Sequence, residues 1–339
     1  MNRTQTLLPV FLSGIALTFA VSADAYPAPQ AQAFTAAVSA PVPASALWRD
    51  QGNIGSLNLA YGPGGKEHQP AGKFTFVKED KAGTAAKFEV VDEQGVHWKA
   101  KLGEETKSET AAARLLWAVG YFTDEDYYLA ELRVEKMPKL DRGRQFVSEG
   151  GLVRGVRLER AVKGQTKSGN WSWSKNPLAG TKEMDGLRIM MALLNNWDLK
   201  TINNAVYVEA GKEPYYAVSD LGATFGKTGN YLTRSKSDLH DYSGTGFVQE
   251  TKPEEIDFFM SSRPFFLTVV NVPNYITRTK MQGVAKDIPR THAKWLSQLL
   301  GQLSAEQIRD CFRAAGYSAA EVEGFSKVVQ GRIAELNKL

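Results

Sequence analysis

The clearest hydrophobic pattern in the chain lies near its middle. Apolar residues recur there at steps of three and four, which predicts a helix with one buried face: Leu187, Met190, Met191 and Leu194. Asn195 and Asn196 then favour a loop over further helix. Two short β-forming runs follow, 205–208 and 215–219, separated by a turn that contains Gly211. The pattern predicts a helix, a polar loop and a β-hairpin, in that order.

The pattern upstream is one of short alternating strands. Residues 74–79, 87–92 and 95–102 predict three strands. The connection between the first two contains Gly83 and Thr84. This part of the chain is therefore expected to form a small sheet.

The third strand and the helix after it carry the charged residues of this region. Alternation places Lys99 and Lys101 on one face of the strand, opposite its apolar side chains. The predicted helix, 105–122, has one acidic residue, Glu109, in its apolar stripe. Thr106 and Glu109 fit a capping box, whereas a carboxylate on a buried face needs a cationic partner. The sequence leaves both interpretations open.

The remaining pattern contains one more strand and a helical C-terminus. Residues 127–137 have strand composition, and 139–180 are polar and rich in glycine. Trp171 and Trp173 predict a strand packed on a core, with an aromatic ligand surface as the alternative. Two capping boxes mark the starts of later helices: Ser304 with Gln307, and Ser318 with Glu321.

The N-terminus has the features of an exported protein. Residues 1–25 combine Arg3, a short apolar run and a small-residue cleavage motif, which predicts a signal peptide removed after Ala25. Residues 26–50 are predicted to be a flexible linker because they begin with a stretch rich in alanine and proline. We expect a periplasmic or secreted protein with no membrane segment after signal cleavage.

Net charge and cysteine content limit the kinds of partner and of chemistry that the sequence predicts. The 339 residues carry a net charge of +4, too little to predict binding to nucleic acid or to a membrane surface. Cys311 is the only cysteine, so the chain cannot form an internal disulfide. Its helical surroundings predict a buried small hydrophobe and not a nucleophile.

Acidic and amide residues stand at a distinctive spacing around the hairpin. Four residues separate Asp198 from Asn203, and Asp220-Leu221-Gly222 follows the second strand. This order resembles the catalytic core of the protein-kinase-like superfamily, where an Asp-x4-Asn loop and a hairpin lead to Asp-Phe-Gly. Without that resemblance, the same residues would be read as a helix cap and a turn.

Several residues depart from the usual protein-kinase pattern. Asn196 and Trp197 replace the common His-Arg pair, and Leu221 replaces phenylalanine. The chain is therefore more similar to atypical kinases, a group that includes bacterial toxin, spore-coat and secretory-pathway kinases.

The resemblance implies a role for each residue of the motif. Asp198 would act as the base toward the acceptor hydroxyl, and Lys200 would steady the transferred phosphate. Asn203 and Asp220 would bind Mg²⁺ or Mn²⁺.

The resemblance also implies nucleotide contacts in the sheet-rich region. Lys101, with Lys99 as the alternative, would contact the α- and β-phosphates and pair with Glu109. The loop with Gly83 and Thr84 would cover the phosphates, although it has one glycine where kinases have three.

The expected fold is α+β and two-lobed, of the protein-kinase-like type. A β-rich nucleotide lobe would span 51–136, and a mostly helical catalytic lobe would span 137–339. The expected function is Mg²⁺- or Mn²⁺-dependent phosphoryl transfer from ATP, or another nucleotide, to an unknown protein or small-molecule acceptor. A non-catalytic pseudokinase and an exported carbohydrate- or protein-binding module are the alternatives.

Overall fold

The computed structural model describes residues 42–228, 234–261 and 279–339. The predicted signal peptide and the first part of the predicted linker lie outside these residues. Among the residues described, no helix combines the length and the hydrophobicity that crossing a bilayer requires.

The small lobe is built on a six-stranded sheet in the order β3-β2-β1-β4-β6-β5. Its strands are β1 (Phe74–Asp80), β2 (Lys87–Asp92), β3 (His97–Leu102), β4 (Asp126–Glu135), β5 (Val147–Ser148) and β6 (Leu152–Arg160). β3 also pairs with β6, so five strands close into a ring around apolar side chains such as Phe88, Trp98 and Leu158. The three strands predicted between 74 and 102 are confirmed.

The boundary between the lobes differs from the predicted one. The small lobe was expected to end at 136, but β6 pairs with both β3 and β4 and is central to the closed ring. The polar stretch from 139 to 160 therefore belongs to the small lobe. The chain crosses to the large lobe after Arg160.

Helix α1 (Glu105–Ala118) lies between the two lobes. It contacts β3, β4 and β6 on one side and a C-terminal helix on the other. Its alanines, Ala111 to Ala113, are fully buried, which lets neighbouring backbones approach closely.

The large lobe is mostly helical, with two small three-stranded sheets. Its helices are α2 (Lys182–Leu193), α3 (Leu239–Ser243), α4 (Arg290–Leu300), α5 (Ala305–Ala314) and α6 (Ala319–Leu336). One sheet contains β7 (Gln165–Gly169), β8 (Asn204–Glu209) and β9 (Tyr215–Val218), and the other contains β10 (Val248–Thr251), β11 (Glu255–Phe258) and β12 (Ile288–Pro289). The predicted helix and hairpin are confirmed as α2 and β8–β9. Both predicted capping boxes are formed, at Ser304 and Ser318.

Two local predictions were wrong. The linker was expected to reach residue 50, but Ala46 and Leu47 are buried and the Trp48 indole N–H donates to the Val119 carbonyl at 2.6 Å. Apolar side chains at 46–48 override the flexible composition that precedes them. Trp171 and Trp173 were expected in a strand, but they lie in an irregular segment, with their rings 4.7 Å apart. Trp171 does pack in the core, as expected.

Candidate active site

The loop after α2 brings three of the predicted site residues together. Asn196 accepts the backbone N–H of Asp198 at 3.1 Å and so turns the loop. The Asn203 amide donates to the Asp198 carbonyl at 2.6 Å, and Lys200 Nζ donates to Asp198 Oδ2 at 2.8 Å. The asparagines therefore shape the turn, and they also fix the position of a carboxylate between a lysine and an amide.

The hairpin attaches Asp220 to this loop. The backbone N–H groups of Ser219 and Asp220 both donate to the Asn203 carbonyl, at 2.9 and 3.2 Å. Asp220 Oδ1 accepts the N–H of Gly222 at 3.1 Å, which holds its side chain at the start of the next segment. Asn203 thus links Asp198 to Asp220, so that the residues of the motif lie close together.

Lys101 joins the small lobe to Asp220. Its Nζ lies 2.9 Å from Glu109 Oε2, 2.6 Å from Glu105 Oε2 and 3.6 Å from Asp220 Oδ1. The predicted Lys101–Glu109 ion pair is present. Lys99 instead pairs with Glu159 at 2.7 Å, so Lys101 is the strand lysine that reaches the Asp220 carboxylate.

The capping interpretation of Glu109 does not hold. Helix α1 begins at Glu105, and its N-cap residue, Glu104, makes no side-chain cap. The Thr106 hydroxyl donates backwards to the Gly103 carbonyl at 3.0 Å. Glu109 therefore acts as the buried partner of a strand lysine.

Arg157 forms a second layer behind this ion pair. It lies on β6, fully enclosed, and contacts Asp126 at 2.6 Å, Glu159 at 2.9 Å and Glu109 at 3.3 Å. The prediction from sequence missed this arginine. Arg157 and Glu159 alternate with apolar Val156 and Leu158, a strand signal inside the region interpreted only as polar.

Glu105 is the other residue that was missed. It lies one helical turn before Glu109 and accepts from both Lys101 and Lys236, the latter from the segment that follows Asp220. Burial opposes its ionisation, but Lys101 and Lys236 outweigh burial and lower the pKa of Glu105 to about 2. Glu105 is therefore charged at neutral pH.

Burial and neighbouring charge act in opposite directions on the other two groups. Burial alone would lower the pKa of Lys101, but Glu109 and Asp220 raise it, so the lysine stays protonated. Burial raises the pKa of Glu109 to about 7, against the opposing effect of Arg157 and Lys101. The interior of the site is thus a dense set of compensated charges.

The donor set fits a divalent cation. One carboxylate oxygen from each of Glu105, Glu109 and Asp220 lies within 4.8 Å of the others. Asn203 accepts the Asp220 N–H with its backbone carbonyl, while its side-chain amide donates to Asp198. Carboxylate and amide oxygens are the ligands that Mg²⁺ and Mn²⁺ prefer. Asp220, whose side chain is 41% exposed, is the member most accessible from solvent.

The loop with Gly83 and Thr84 lies at the same end of the sheet as Lys101. The Leu102 N–H donates to the Ala86 carbonyl at 2.9 Å, which places the loop beside the end of β3. Gly83 and Thr84 are exposed, and the Gly83 carbonyl accepts from Arg142 at 2.7 Å. The structure shows no bond from this loop to the Lys101 cluster among the described residues, so its phosphate contact stays a prediction.

A cavity of about 390 Å³ lies on the Lys99 side of the cluster. Lys99 and Glu159 line it from the small lobe, 161–162 from the connection, and Tyr207 and Tyr215 from the hairpin. Its lining thus combines charged side chains from the sheet with aromatic side chains from the hairpin.

No family model and no curated protein matches this chain. Among solved structures, it is similar to the Helicobacter pylori proinflammatory kinase CtkA, with 10% identity over 78% of this chain and 96% of that chain and a TM-score of 0.44. It is also similar to the Golgi casein kinase, with 11% identity over 84% and 78% of the two chains and a TM-score of 0.31. A structure of the Golgi casein kinase with Mn/ADP bound gives 11% identity over 78% and 75%, with a TM-score of 0.28. All three solved structures are kinases, the class of protein that the motifs of this chain resemble.

Proposed function

We propose that this protein transfers the γ-phosphoryl group of a nucleoside triphosphate to a hydroxyl acceptor. The observation that carries the proposal is the contact of Lys101 with Glu109 and Asp220, because it joins a strand, a helix and the segment after the hairpin. Asn203 connects the same Asp220 to Asp198. A helix cap or a turn needs none of these long-range contacts, whereas phosphoryl transfer needs charged groups positioned together.

Each charged residue of the site would contact a different part of the bound nucleoside triphosphate. Lys101, fixed by Glu109, would contact the α- and β-phosphate oxygens. Asp220 and Asn203 would hold Mg²⁺ or Mn²⁺, with Glu105 as a further candidate ligand. A bound cation of this kind neutralises phosphate charge. The nucleobase of the nucleotide would occupy the cavity between Lys99 and the hairpin residues Tyr207 and Tyr215.

Asp198 and Lys200 would serve the acceptor. The acceptor oxygen forms a bond to the γ-phosphorus, and the bond from that phosphorus to the β–γ bridging oxygen breaks. The hydroxyl proton passes to Asp198, and the nucleoside diphosphate leaves with the electron pair. Lys200, 2.8 Å from Asp198 Oδ2, is placed to balance charge on the transferred group.

Export is part of the proposal. ATP is scarce outside the bacterial cytoplasm, so the donor has to be identified by testing several nucleotides. N-terminal sequencing of the secreted or periplasmic protein would test cleavage after Ala25.

Thermal unfolding of the mature protein, from Tyr26 onward, tests the nucleotide site. We would add ATP, GTP, CTP or UTP with Mg²⁺ or Mn²⁺. A nucleotide at 100 times its dissociation constant should stabilise the fold by about 2.7 kcal/mol. Asp220→Ala should abolish this gain, whereas Asp198→Ala should keep it and lose transfer of labelled γ-phosphate.

Asp141→Ala is the matched control, because Asp141 is exposed and forms a surface ion pair with Lys81. It should change neither binding nor transfer. Nucleotide stabilisation that persists in Asp220→Ala, or none with any nucleotide in the unmodified protein, would refute the proposal.

A further inference from the structure

A second cavity lies on the large-lobe side of the Asp198 loop. Its volume is about 630 Å³. Trp173, Met184 and Val284 supply apolar walls, and 199–201 forms the side toward the proposed active site. The size is typical of a site for a small molecule.

The cavity is next to the proposed chemistry because they share one residue. Lys200 lines the cavity, and its Nζ donates to Asp198 Oδ2 at 2.8 Å. Leu199 and Thr201 flank that lysine on the same wall. A hydroxyl bound at this wall is therefore within a side chain's length of the proposed base.

The charges on the cavity wall favour an anion. The one carboxylate of the lining, Asp185, is neutralised by an ion pair with Arg188 and by a contact to His292 Nδ1 at 2.8 Å. Arg188 also donates to the carbonyls of Val284 and Lys286, at 2.5 and 2.6 Å, so its position is fixed.

Lys280 supplies the remaining positive charge. It is exposed and has no ion pair within the described parts of the chain, whereas the half-exposed Lys200 is paired with Asp198. The Lys280 ammonium group is therefore placed to attract an anionic ligand.

We propose that this cavity binds the acceptor, a small alcohol or phenol with an apolar body and an anionic group. This inference rests on the proposed phosphoryl transfer and names the substrate class for it. The apolar body would pack on Trp173 and Met184, and the anion would contact Lys280. Transfer to the hydroxyl of such a molecule yields a phosphomonoester, with the hydroxyl proton on Asp198 and the nucleoside diphosphate released.

Three matched probes separate the features of this ligand. 6-Hydroxynaphthalene-2-sulfonate has the ring, the anion and the hydroxyl, 2-naphthol lacks the anion, and naphthalene-2-sulfonate lacks the hydroxyl. Isothermal titration calorimetry should show both sulfonates binding at least ten times more tightly than 2-naphthol. With nucleotide and Mn²⁺, labelled phosphate should appear on the hydroxysulfonate and not on naphthalene-2-sulfonate.

Variants locate the binding. Ala179→Trp adds a large ring at an exposed lining residue and should abolish binding of both sulfonates. Lys280→Glu should remove the preference for the anion. Ala320→Trp, at an exposed alanine of α6, is the control for Ala179→Trp and should bind normally.

The outcomes distinguish this inference from the proposed function. Nucleotide stabilisation should be unchanged in Ala179→Trp, because Ala179 is not part of the nucleotide site. Absence of sulfonate binding to the unmodified protein, equal affinity for 2-naphthol, or full binding by Ala179→Trp would overturn the acceptor cavity and leave the nucleotide site intact. Phosphate transfer to protein acceptors that is indifferent to Ala179→Trp would overturn it as well. Sulfonate binding without any nucleotide stabilisation would instead refute the proposed function.

Discussion

Replacing Lys101 and Arg157 in turn should separate the binding role of one cation from the structural role of the other. Both are buried, and both contact Glu109. Lys101 alone also reaches Asp220. We therefore compare Lys101→Met with Arg157→Met, since methionine keeps an unbranched side chain and removes the charge.

The contacts indicate how much stability each variant should lose. In Arg157→Met, the buried Asp126 carboxylate loses its ion-pair partner at 2.6 Å and keeps only the nearby Arg114, which donates to the Asp126 backbone carbonyl at 2.9 Å. Breaking a buried pair in this way costs about 3–5 kcal/mol. In Lys101→Met, Glu109 keeps Arg157 and Glu105 keeps Lys236. The free energy of unfolding should then fall by only about 1–3 kcal/mol, as expected for a weakened buried polar contact.

The effects on nucleotide binding should rank in the opposite order. Lys101→Met should lose the stabilisation by nucleotide and Mn²⁺, because its ammonium is the proposed phosphate contact. Arg157→Met should keep it at temperatures where the variant stays folded. Lys99→Met tests the alternative strand lysine, and Lys78→Met, at an exposed lysine of β1 that pairs with Glu89, is the control that should bind nucleotide.

Urea unfolding gives the free energies, and thermal shifts with nucleotide give the binding. The reasoning is refuted if Lys101→Met is the less stable of the two variants, or if it keeps its nucleotide-induced shift. Loss of the shift in Lys99→Met, with Lys101→Met unaffected, would assign the phosphate contact to Lys99.

Three further outcomes follow from the same structure. The pKa of Glu105 is about 2 when folded and 4.5 ordinarily, so its ionised form contributes stability above pH 4.5 that is lost as pH falls toward 2. Glu105→Gln should therefore remove up to about 3 kcal/mol of the change in unfolding free energy across that pH window. Urea titration at several pH values measures this change. A methyl group on Gly222 would lie 2.8 Å from Glu105 carbons. Gly222→Ala should thus destabilise the fold by about 1–3 kcal/mol, whereas Gly169→Ala, with open space around it, should not; equal losses would contradict this. Burial raises the pKa of Cys311 to about 12, so labelling by iodoacetamide should occur only on unfolding, and fast labelling of the native protein would contradict its burial.

The parts of the fold that the sequence predicted are those with local signals. The 3.6-residue repeat of α2, the alternation of β1 to β3 and the capping boxes at Ser304 and Ser318 each depend on residues a few positions apart. The Asp198 loop was also predictable, because its hydrogen bonds connect residues within 196–203. These are the elements that the structure reproduces.

The errors have a different physical origin. The strand β6 carries Arg154, Gly155, Arg157 and Glu159, a composition that suggests solvent, yet pairing with β3 and β4 buries Arg157 against carboxylates. Pairings of this kind join residues about 30 to 60 positions apart, so no local window contains both partners. The same limit hid the docking of Ala46 and Leu47, whose neighbours lie on later elements.

Glu105 shows why part of the site could not be derived from the motif alone. Glu105 and Glu109 are one helical turn apart, so both can face β3. What distinguishes them is the second cation of each carboxylate: Arg157 from β6 for Glu109, and Lys236 from the segment after the hairpin for Glu105. The position of α1 is therefore fixed by charges from both lobes, and the Ser108 hydroxyl adds a bond to the Gly222 carbonyl at 2.9 Å. Because one set of contacts holds both α1 and the Asp220 segment, a substitution in either one should alter the proposed phosphate contact and the proposed metal ligands together.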